Sequence, residues 1–150
     1  MCGIVGILDP ISSIDKDSLF LSLDTMKERG PDNFGYWMSA DKGLALGHRR
    51  LSTIDLVTGQ QPMSNEDKTV QIVANGEFYD YERIRNDLEK AGHVFKTKSD
   101  SEILVHLYEE YGNECVTHLR GEFAFILWDE KKKELYAFRD RFGIKPLCYN

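Results

Sequence analysis

MCGIVGILDP, residues 1–10, opens the chain with a mostly apolar run that ends at an Asp-Pro pair. The run predicts a buried strand over residues 2–8, in which two glycines allow close approach of neighbouring backbone. Its second residue is a cysteine, whose side chain is small enough for enzymatic removal of the initiator Met1. Cys2 would then carry a thiol nucleophile and a free α-amine that can act as its base. Position alone favours an ordinary buried cysteine, so the choice depends on the rest of the sequence.

Length and composition indicate one globular domain of 150 residues with a net charge of −6. This charge argues against a nucleic-acid partner or an anionic membrane, since either would require a basic face. No segment has the length or pattern of a signal peptide or a membrane span. The three cysteines are odd in number and widely spaced, so we expect no disulfide framework and a cytoplasmic location.

Hydrophobic periodicity and turn residues predict a mixture of helices and mostly hairpin-connected strands. Helices are predicted over residues 18–29, 81–91, 99–111 and 113–119, and strands over residues 2–8, 34–39, 44–50, 70–75, 93–97, 122–128 and 134–140. The third helix begins with a capping box, Ser99-Asp100-Ser101-Glu102. Asn75-Gly76 is interpreted as the turn that ends the fourth strand. The strand over 122–128 is apolar on both faces, which predicts antiparallel sheets covered by helices, an α+β fold.

Common catalytic and metal motifs are missing from the sequence. It contains no Walker loop, no G-x-G-x-x-G after a strand, no paired C-x-x-C and no G-x-S-x-G elbow. Cys115 and His118 lie three residues apart on a predicted helix, but two ligands without a second pair favour a packed core pair over a metal site. On the third strand, the two-residue period places His48 and Arg50 on the same face as two leucines. Arg50 is therefore predicted to point inward.

Seven short motifs follow one another along the whole chain, and together they are far more specific than any one alone. They are MCGIVG at 1–6, RGPD at 29–32, GHRRLS at 47–52, NGE at 75–77, SD at 99–100, RGEFAF at 120–125 and RDRFGIKPL at 139–147. With these motifs the chain resembles the N-terminal-nucleophile (Ntn) glutamine amidotransferases, most closely the glutaminase domain of glutamine-hydrolysing asparagine synthetases. The resemblance implies a four-layer αββα Ntn-hydrolase sandwich, with two mainly antiparallel sheets between helical layers.

The resemblance also implies an activity, the hydrolysis of glutamine to glutamate and ammonia by Cys2 after Met1 is removed. In the family, the side-chain amide matching Asn75 and the backbone N–H matching Gly76 stabilise the tetrahedral oxyanion. Relatives continue the domain past the position that matches Asn150. We therefore expect residues 1–150 to be part of a type 2 glutamine amidotransferase domain, truncated at its C-terminus.

The remaining site residues that the resemblance implies recognise glutamine as a free amino acid. Arg50 matches the residue that binds the carboxylate, a task suited to its planar fork. Glu77 and Asp100 match the residues that bind the ammonium group. Backbone carbonyls near Leu51 and Ile54 complete the pocket. The RGPD motif is interpreted as structural support.

The resemblance implies no cofactor and no metal in this domain. Ammonia would pass to an ATP-dependent synthetase domain, expected in the same full-length chain, which would bind ATP and Mg. A homodimer is among the assemblies that it allows. One alternative is an amidotransferase acting on another acceptor carboxylate in secondary metabolism. Another is a non-catalytic binding module that keeps the fold and retains Met1. Sugar-phosphate and phosphoribosyl amidotransferases usually carry a different sequence at 48–52, which argues against them.

Overall fold

A computed structural model describes residues 1–52 and 59–150 of the chain. In chain order, the α-helices and strands within those residues are β1 (Gly3–Leu8), α1 (Lys16–Thr25), β2 (Asn33–Met38), β3 (Leu44–Arg50), β4 (Met63–Ser64), β5 (Val70–Tyr79), α2 (Tyr81–Ala91), α3 (Ile103–Tyr111), β6 (Arg120–Asp129) and β7 (Glu134–Arg139). Two 3-10 helices, Asp100–Glu102 and Gly112–His118, flank α3. No helix in the described ranges is long and apolar enough to cross a bilayer.

The strands form two antiparallel sheets, one of three strands in the order β1-β3-β2 and one of four in the order β4-β5-β6-β7. β3 is the centre of the smaller sheet, and β5 and β6 are the inner strands of the larger one. The two sheets pack face to face through a cluster that includes Leu44 and Leu46 of β3, Val73 of β5, and Ile126 and Trp128 of β6.

Two further apolar clusters cover the outer faces of the sheets. Leu19 and Leu23 of α1 pack on Ala45 of β3. On the other side, α2, α3 and the segment after them cover the larger sheet, with Phe125 among the fully buried residues. Burying apolar side chains is the main driving force for this layering. The order is helix, sheet, sheet, helices, so the predicted four-layer αββα sandwich is confirmed.

Several elements lie close to the positions predicted for them. α2 has the predicted bounds, and Gly92 ends it in the left-handed region with φ of 108°. β2 and β3 form the predicted antiparallel pair. The inner strand β6 is buried over residues 123–129, as its apolar sequence predicted. Cys115 is buried, as predicted for a core residue. His118 is exposed and stacks on Tyr111, so the prediction that it belongs to the core is wrong.

The prediction of a turn at Asn75-Gly76 is wrong. β5 runs through this pair to Tyr79, and Gly76 lies opposite Phe123 of β6 in the antiparallel ladder. A Cβ atom on Gly76 would lie 2.6 Å from the Glu122 carbonyl oxygen, so glycine here serves close approach between strands. Pairing with β6 therefore outweighs the local turn propensity of Asn75-Gly76.

The predicted strand over residues 93–97 is also wrong, because two of its backbone donors are taken by one side chain. The N–H groups of Lys96 and Thr97 each donate to the Glu102 carboxylate at 2.7 Å. The Glu102 side chain thus accepts hydrogen bonds from the segment that precedes the helix, and it does not complete the predicted capping box. Ser99 still caps the helical turn, accepting from the Ser101 N–H at 3.3 Å.

The two N-terminal elements differ from their predictions, β1 in its burial and α1 at both ends. Among the strands that the structure describes, β1 pairs only with β3 and lies at the edge of its sheet. Its residues are mostly half-buried or exposed, where a buried strand was predicted. α1 begins at Lys16, two residues earlier than predicted, and ends at Thr25, four residues earlier than predicted. Single turns continue the chain to Gly30. A Cβ on Gly30 would lie 2.4 Å from the Arg49 carbonyl carbon, so this glycine lets the turn pack directly on β3.

Candidate active site

The candidate site lies where the apolar core between the two sheets gives way to polar side chains. Leu44 and Leu46 of β3 belong to that core, and the two-residue period continues their row to His48 and Arg50. Val73 of β5 belongs to the same core, and its row continues to Asn75 and Glu77. The polar residues of both rows, on β3 and on β5, therefore face the space between the sheets. Arg50 is buried and belongs to the lining of the cavity described below, which agrees with its predicted inward direction.

Cys2 is placed at this end of the core by the pairing of β1 with β3. Gly3 pairs with Arg49, so Cys2 lies beside Arg50. The Leu51 N–H donates to Cys2 Sγ at 3.5 Å, and the thiol faces the Leu51 carbonyl oxygen at 3.7 Å. Arg29 Nε donates to the Cys2 carbonyl oxygen at 3.4 Å. The thiol is thus held by backbone on one side and remains half-buried.

One cavity brings together six of the eight predicted site residues. Its described lining consists of Cys2, His48, Arg50, Leu51, Gly59, Gln61, Ala74, Gly76, Glu77, Ser99, Asp100 and Ser101. Asn75 is buried on β5 directly before Gly76 but is not part of that lining. The eighth residue, Ile54, lies outside the described residues.

The ladder between β5 and β6 determines where the Gly76 N–H points. The N–H of Ala74 donates to Gln61 Oε1 at 2.6 Å, and the N–H of Phe78 donates to Asp100 Oδ2 at 3.3 Å. Both groups are directed away from β6. Gly76 lies midway between these residues, so strand alternation directs its N–H to the same edge. A backbone donor therefore points away from the sheet at the point where Gly76 lines the cavity.

The two predicted ammonium-binding carboxylates occupy different surroundings. Glu77 is exposed, whereas Asp100 is buried at the start of the 3-10 helix. Burial raises the pKa of the Asp100 carboxyl above its usual value, although hydrogen bonds from Phe78 and Ser101 oppose the effect. A cation in the cavity would favour the ionised form of Asp100.

The RGPD motif contacts the segments that carry the site. The Asp32 N–H donates to the Arg50 carbonyl oxygen at 3.0 Å, and the Ser52 N–H donates to Asp32 Oδ2 at 2.7 Å. Pro31 forms an isolated bridge with Arg50. These bonds agree with the interpretation of the motif as structural support, because they fix the chain on both sides of Leu51.

Four polar cavity residues were not among the predicted site residues: His48, Gln61, Ser99 and Ser101. His48 could have been found, since it shares the inward face of β3 with Arg50. Gln61 could not, because its role depends on contact with β5, where it accepts from and donates to the Ala74 backbone. The serines belong to the helical turn that positions Asp100.

His48 is buried, and its Nε2 has no hydrogen-bond partner among the described residues. Burial, assisted by the Arg50 charge, lowers the pKa of His48 from 6.5 to about 4. In the unfolded chain His48 therefore binds a proton below pH 6.5, whereas in the folded chain it binds one only below about pH 4. Stability from this residue is complete above pH 6.5 and is lost progressively as the pH falls from 6.5 to about 4.

Replacing His48 is therefore expected to flatten the acid side of the stability curve. Between pH 7 and pH 4, the parent chain should lose about 3 kcal/mol more unfolding free energy than His48→Gln. Urea unfolding of both chains at several pH values measures this difference. The other titrating groups are common to both chains, so their contributions to the unfolding free energy cancel. Parallel curves would show that His48 is not buried in its neutral form.

The family model that describes the glutamine amidotransferase domain matches residues 1–150. The chain is 42% identical over 153 residues to glutamine-hydrolysing asparagine synthetase 3 of Bacillus subtilis, covering 99% of this chain and 25% of the relative. It is 44% identical over 149 residues to the glutamine-hydrolysing asparagine synthetase of Zea mays, covering 98% and 25%. It is also 44% identical over 161 residues to Amidase chry2 of Gibberella zeae, covering 99% and 24%.

The fold is similar to that of a solved glutamine phosphoribosylpyrophosphate amidotransferase from Bacillus subtilis. The TM-score is 0.70 at 20% sequence identity, over 86% of this chain and 35% of that one. At this identity the likeness concerns the fold alone. The chain spans about a quarter of the length of the curated relatives that it matches.

Proposed function

Because the chain belongs to the glutamine amidotransferase domain family, we propose that it hydrolyses glutamine to glutamate and ammonia. The observation that carries the proposal is one cavity lined by Cys2, Arg50, Glu77 and Asp100, whose side chains carry a thiol, a guanidinium and two carboxylates. These groups complement the reactive amide and the two charged ends of a free amino acid.

The proposed nucleophile is the thiol of Cys2, exposed as the first residue when Met1 is removed. The α-amine of that residue, with a reference pKa of ~7.7–8.0, accepts the thiol proton. Sulfur then attacks the side-chain amide carbon of glutamine, and the protonated amine transfers its proton to the departing ammonia. Water hydrolyses the resulting thioester, which releases glutamate and restores the thiol.

Two groups on β5 are proposed to stabilise the oxyanion of each tetrahedral intermediate. The direction of the Gly76 N–H away from β6 supports its role as one donor. The Asn75 side chain shares the sheet face of Glu77 by the two-residue period, which supports its role as the second. Loss of one such donor typically lowers the rate by ~10²–10³.

Substrate recognition is proposed to rest on the charged residues that line the cavity. Arg50 binds the α-carboxylate of glutamine, while Glu77 and Asp100 bind its α-ammonium group. The ammonium would also keep Asp100 ionised against the effect of its burial. Backbone around Leu51 and Ile54 is proposed to complete the pocket, and no cofactor or metal is needed for the hydrolysis itself.

We propose that ammonia is passed to an ATP-dependent synthetase domain that binds Mg and ATP outside this chain's 150 residues. Two relatives named glutamine-hydrolysing asparagine synthetases support an asparagine-synthetase type of partner. A relative of similar identity is named an amidase, so we retain, as the alternative, an amidotransferase acting on another acceptor carboxylate. All three cysteines are free thiols, which supports a reducing, cytoplasmic location.

Arg50→Ala is expected to weaken glutamine use without stopping the chemistry. Charge-assisted hydrogen bonds contribute about 1.5–3 kcal/mol, so kcat/KM should fall roughly 10–100-fold, mainly through KM. 4-Aminobutanamide, which is glutamine without its α-carboxylate, should be hydrolysed about equally by the parent and the variant. Initial rates of ammonia release measure both substrates.

Arg83→Ala is the matched control, since Arg83 is an exposed arginine of α2 paired with Asp87. It should behave as the parent chain with both substrates. An equal loss on glutamine and on 4-aminobutanamide after the Arg50 change would contradict carboxylate binding by this residue.

A further inference from the structure

Four side chains from three separate segments converge beside α3. Glu66 comes from the loop between β4 and β5, His93 follows α2, and His106 and Glu109 lie one helical turn apart on α3. One nitrogen or oxygen of each lies within 4.8 Å of those of the other three. None of the four lines the Cys2 cavity. The cluster is therefore a second concentration of chemically active groups, independent of the proposed glutaminase site.

Four histidine-to-carboxylate distances in the cluster are close to those around a small tetrahedral ion, and every pair of ligand atoms lies within 4.8 Å. His106 Nδ1 lies 3.2 Å from Glu109 Oε2 and 3.6 Å from Glu66 Oε2. His93 Nδ1 lies 3.5 Å from Glu109 Oε2 and 3.8 Å from Glu66 Oε1. A zinc ion with ligands at ~2.0–2.1 Å would hold neighbouring ligand atoms about 3.3–3.4 Å apart. Small side-chain shifts would meet this geometry.

Three of the four side chains are oriented by a partner outside the cluster. His93 Nε2 donates to Glu110 Oε1 at 2.9 Å, which leaves Nδ1 to face the cluster. Asn65 Nδ2 donates to Glu109 Oε1 at 2.8 Å, and the Val94 N–H donates to Glu66 Oε1 at 2.9 Å. Metal-ligating histidines typically donate their second ring N–H to a carboxylate or carbonyl, and ligating carboxylates are themselves hydrogen-bonded. His93 and the two carboxylates have this arrangement, whereas His106 Nε2 is buried with no hydrogen-bond partner among the described residues.

The cluster also has the composition of a divalent-cation site. Its two carboxylates and two imidazoles come within reach of one another, and His106, with 1% exposure, has Nδ1 3.2 Å from Glu109 Oε2. As metal ligands, two carboxylates and two neutral imidazoles would balance the charge of a divalent ion. Imidazole nitrogens favour zinc over magnesium or calcium, which prefer oxygen ligands.

We propose that Glu66, His93, His106 and Glu109 form a structural zinc site. All four positions are filled by protein, as in closed structural sites. The ion would fasten the β4–β5 loop and the chain after α2 to α3. It would therefore hold the outer helical layer on the larger sheet without taking part in glutamine hydrolysis.

Zinc titration of metal-stripped chain tests the proposal, in a Cys2→Ala background that removes the most reactive thiol. Calorimetry should show one ion per chain, and saturating zinc should raise the thermal midpoint by about 5 °C or more. Cobalt in place of zinc should give the visible absorption of a tetrahedral ion without a sulfur-to-metal band. No binding, or a cobalt spectrum with that band, would overturn the proposal.

Variants of the cluster test whether the bound ion lies there. His93→Gln and Glu66→Gln change partly exposed residues and should each lower zinc affinity at least about tenfold, the loss typical even for an outer-shell partner. His118→Gln removes an exposed histidine that stacks on Tyr111 and should bind zinc as tightly as the parent chain. Equal affinity in the parent and in His93→Gln would place the ion elsewhere and reject the site. Each readout is independent of glutaminase activity.

Discussion

Cys2→Ala is expected to lower the rate of glutamate release from glutamine by roughly 10⁴-fold or more. The side chain is half-buried and holds only weak backbone contacts to Leu51, so the fold should persist. The change removes the atom that would form the thioester, and loss of a nucleophile typically removes most of the catalytic acceleration. Single-turnover and steady-state assays with labelled glutamine measure the loss, and thermal unfolding verifies that the variant is folded.

The other two cysteines provide matched controls for this prediction. Burial raises the pKa of Cys115 to about 11, so its thiolate is scarce at neutral pH. Cys148 is exposed near the C-terminus. Cys115→Ala and Cys148→Ala should keep near-parental turnover once corrected for the folded fraction. If Cys2→Ala stayed active and either control did not, the nucleophile would be a different cysteine.

The sequence predicted those parts of the fold in which local pattern and tertiary environment agree. The two-residue period of β3 placed Arg50 inward, and the same period runs on from the leucines that form the core between the sheets. Gly92 ended α2 at the predicted residue because its positive φ is a local requirement. Six predicted site residues meet in one cavity, and motif order along the whole chain made that grouping predictable.

The errors arose where a distant partner decided the structure. Asn75-Gly76 has the composition of a turn, but β6 supplies a neighbour that draws the pair into a strand. Residues 93–97 have a strand-like sequence, yet the Glu102 carboxylate takes their backbone donors. The proposed zinc ligands come from three segments and carry no spacing motif beyond the helical separation of His106 and Glu109. Such features depend on the fold and cannot be read from local sequence.

Retention of Met1 is expected to abolish glutaminase activity while leaving substrate binding largely intact. With Met1 attached, the nitrogen of Cys2 is an amide, which cannot accept the thiol proton. The thiol, Arg50 and Asp100 would keep their positions, so glutamine should still protect the chain against thermal unfolding. A chain made with a cleavable N-terminal fusion, and cut so that Cys2 becomes the first residue, measures the effect of the amine alone.

The same experiment distinguishes an enzyme from a non-catalytic binding module that keeps the fold. The enzyme predicts that Met1 is absent from the mature protein, whereas the binding module predicts that Met1 is retained. Cleavage should switch on ammonia release at an unchanged unfolding midpoint, and intact mass should show that every active preparation lacks Met1. In a Cys2→Ala chain the same cleavage should have no effect, since the amine then has no thiol to activate. Activity in material that still carries Met1 or the fusion would refute the α-amine as base. The cavity would then need another proton acceptor, and His48, Glu77 and Asp100 are the described residues of its lining that could provide one.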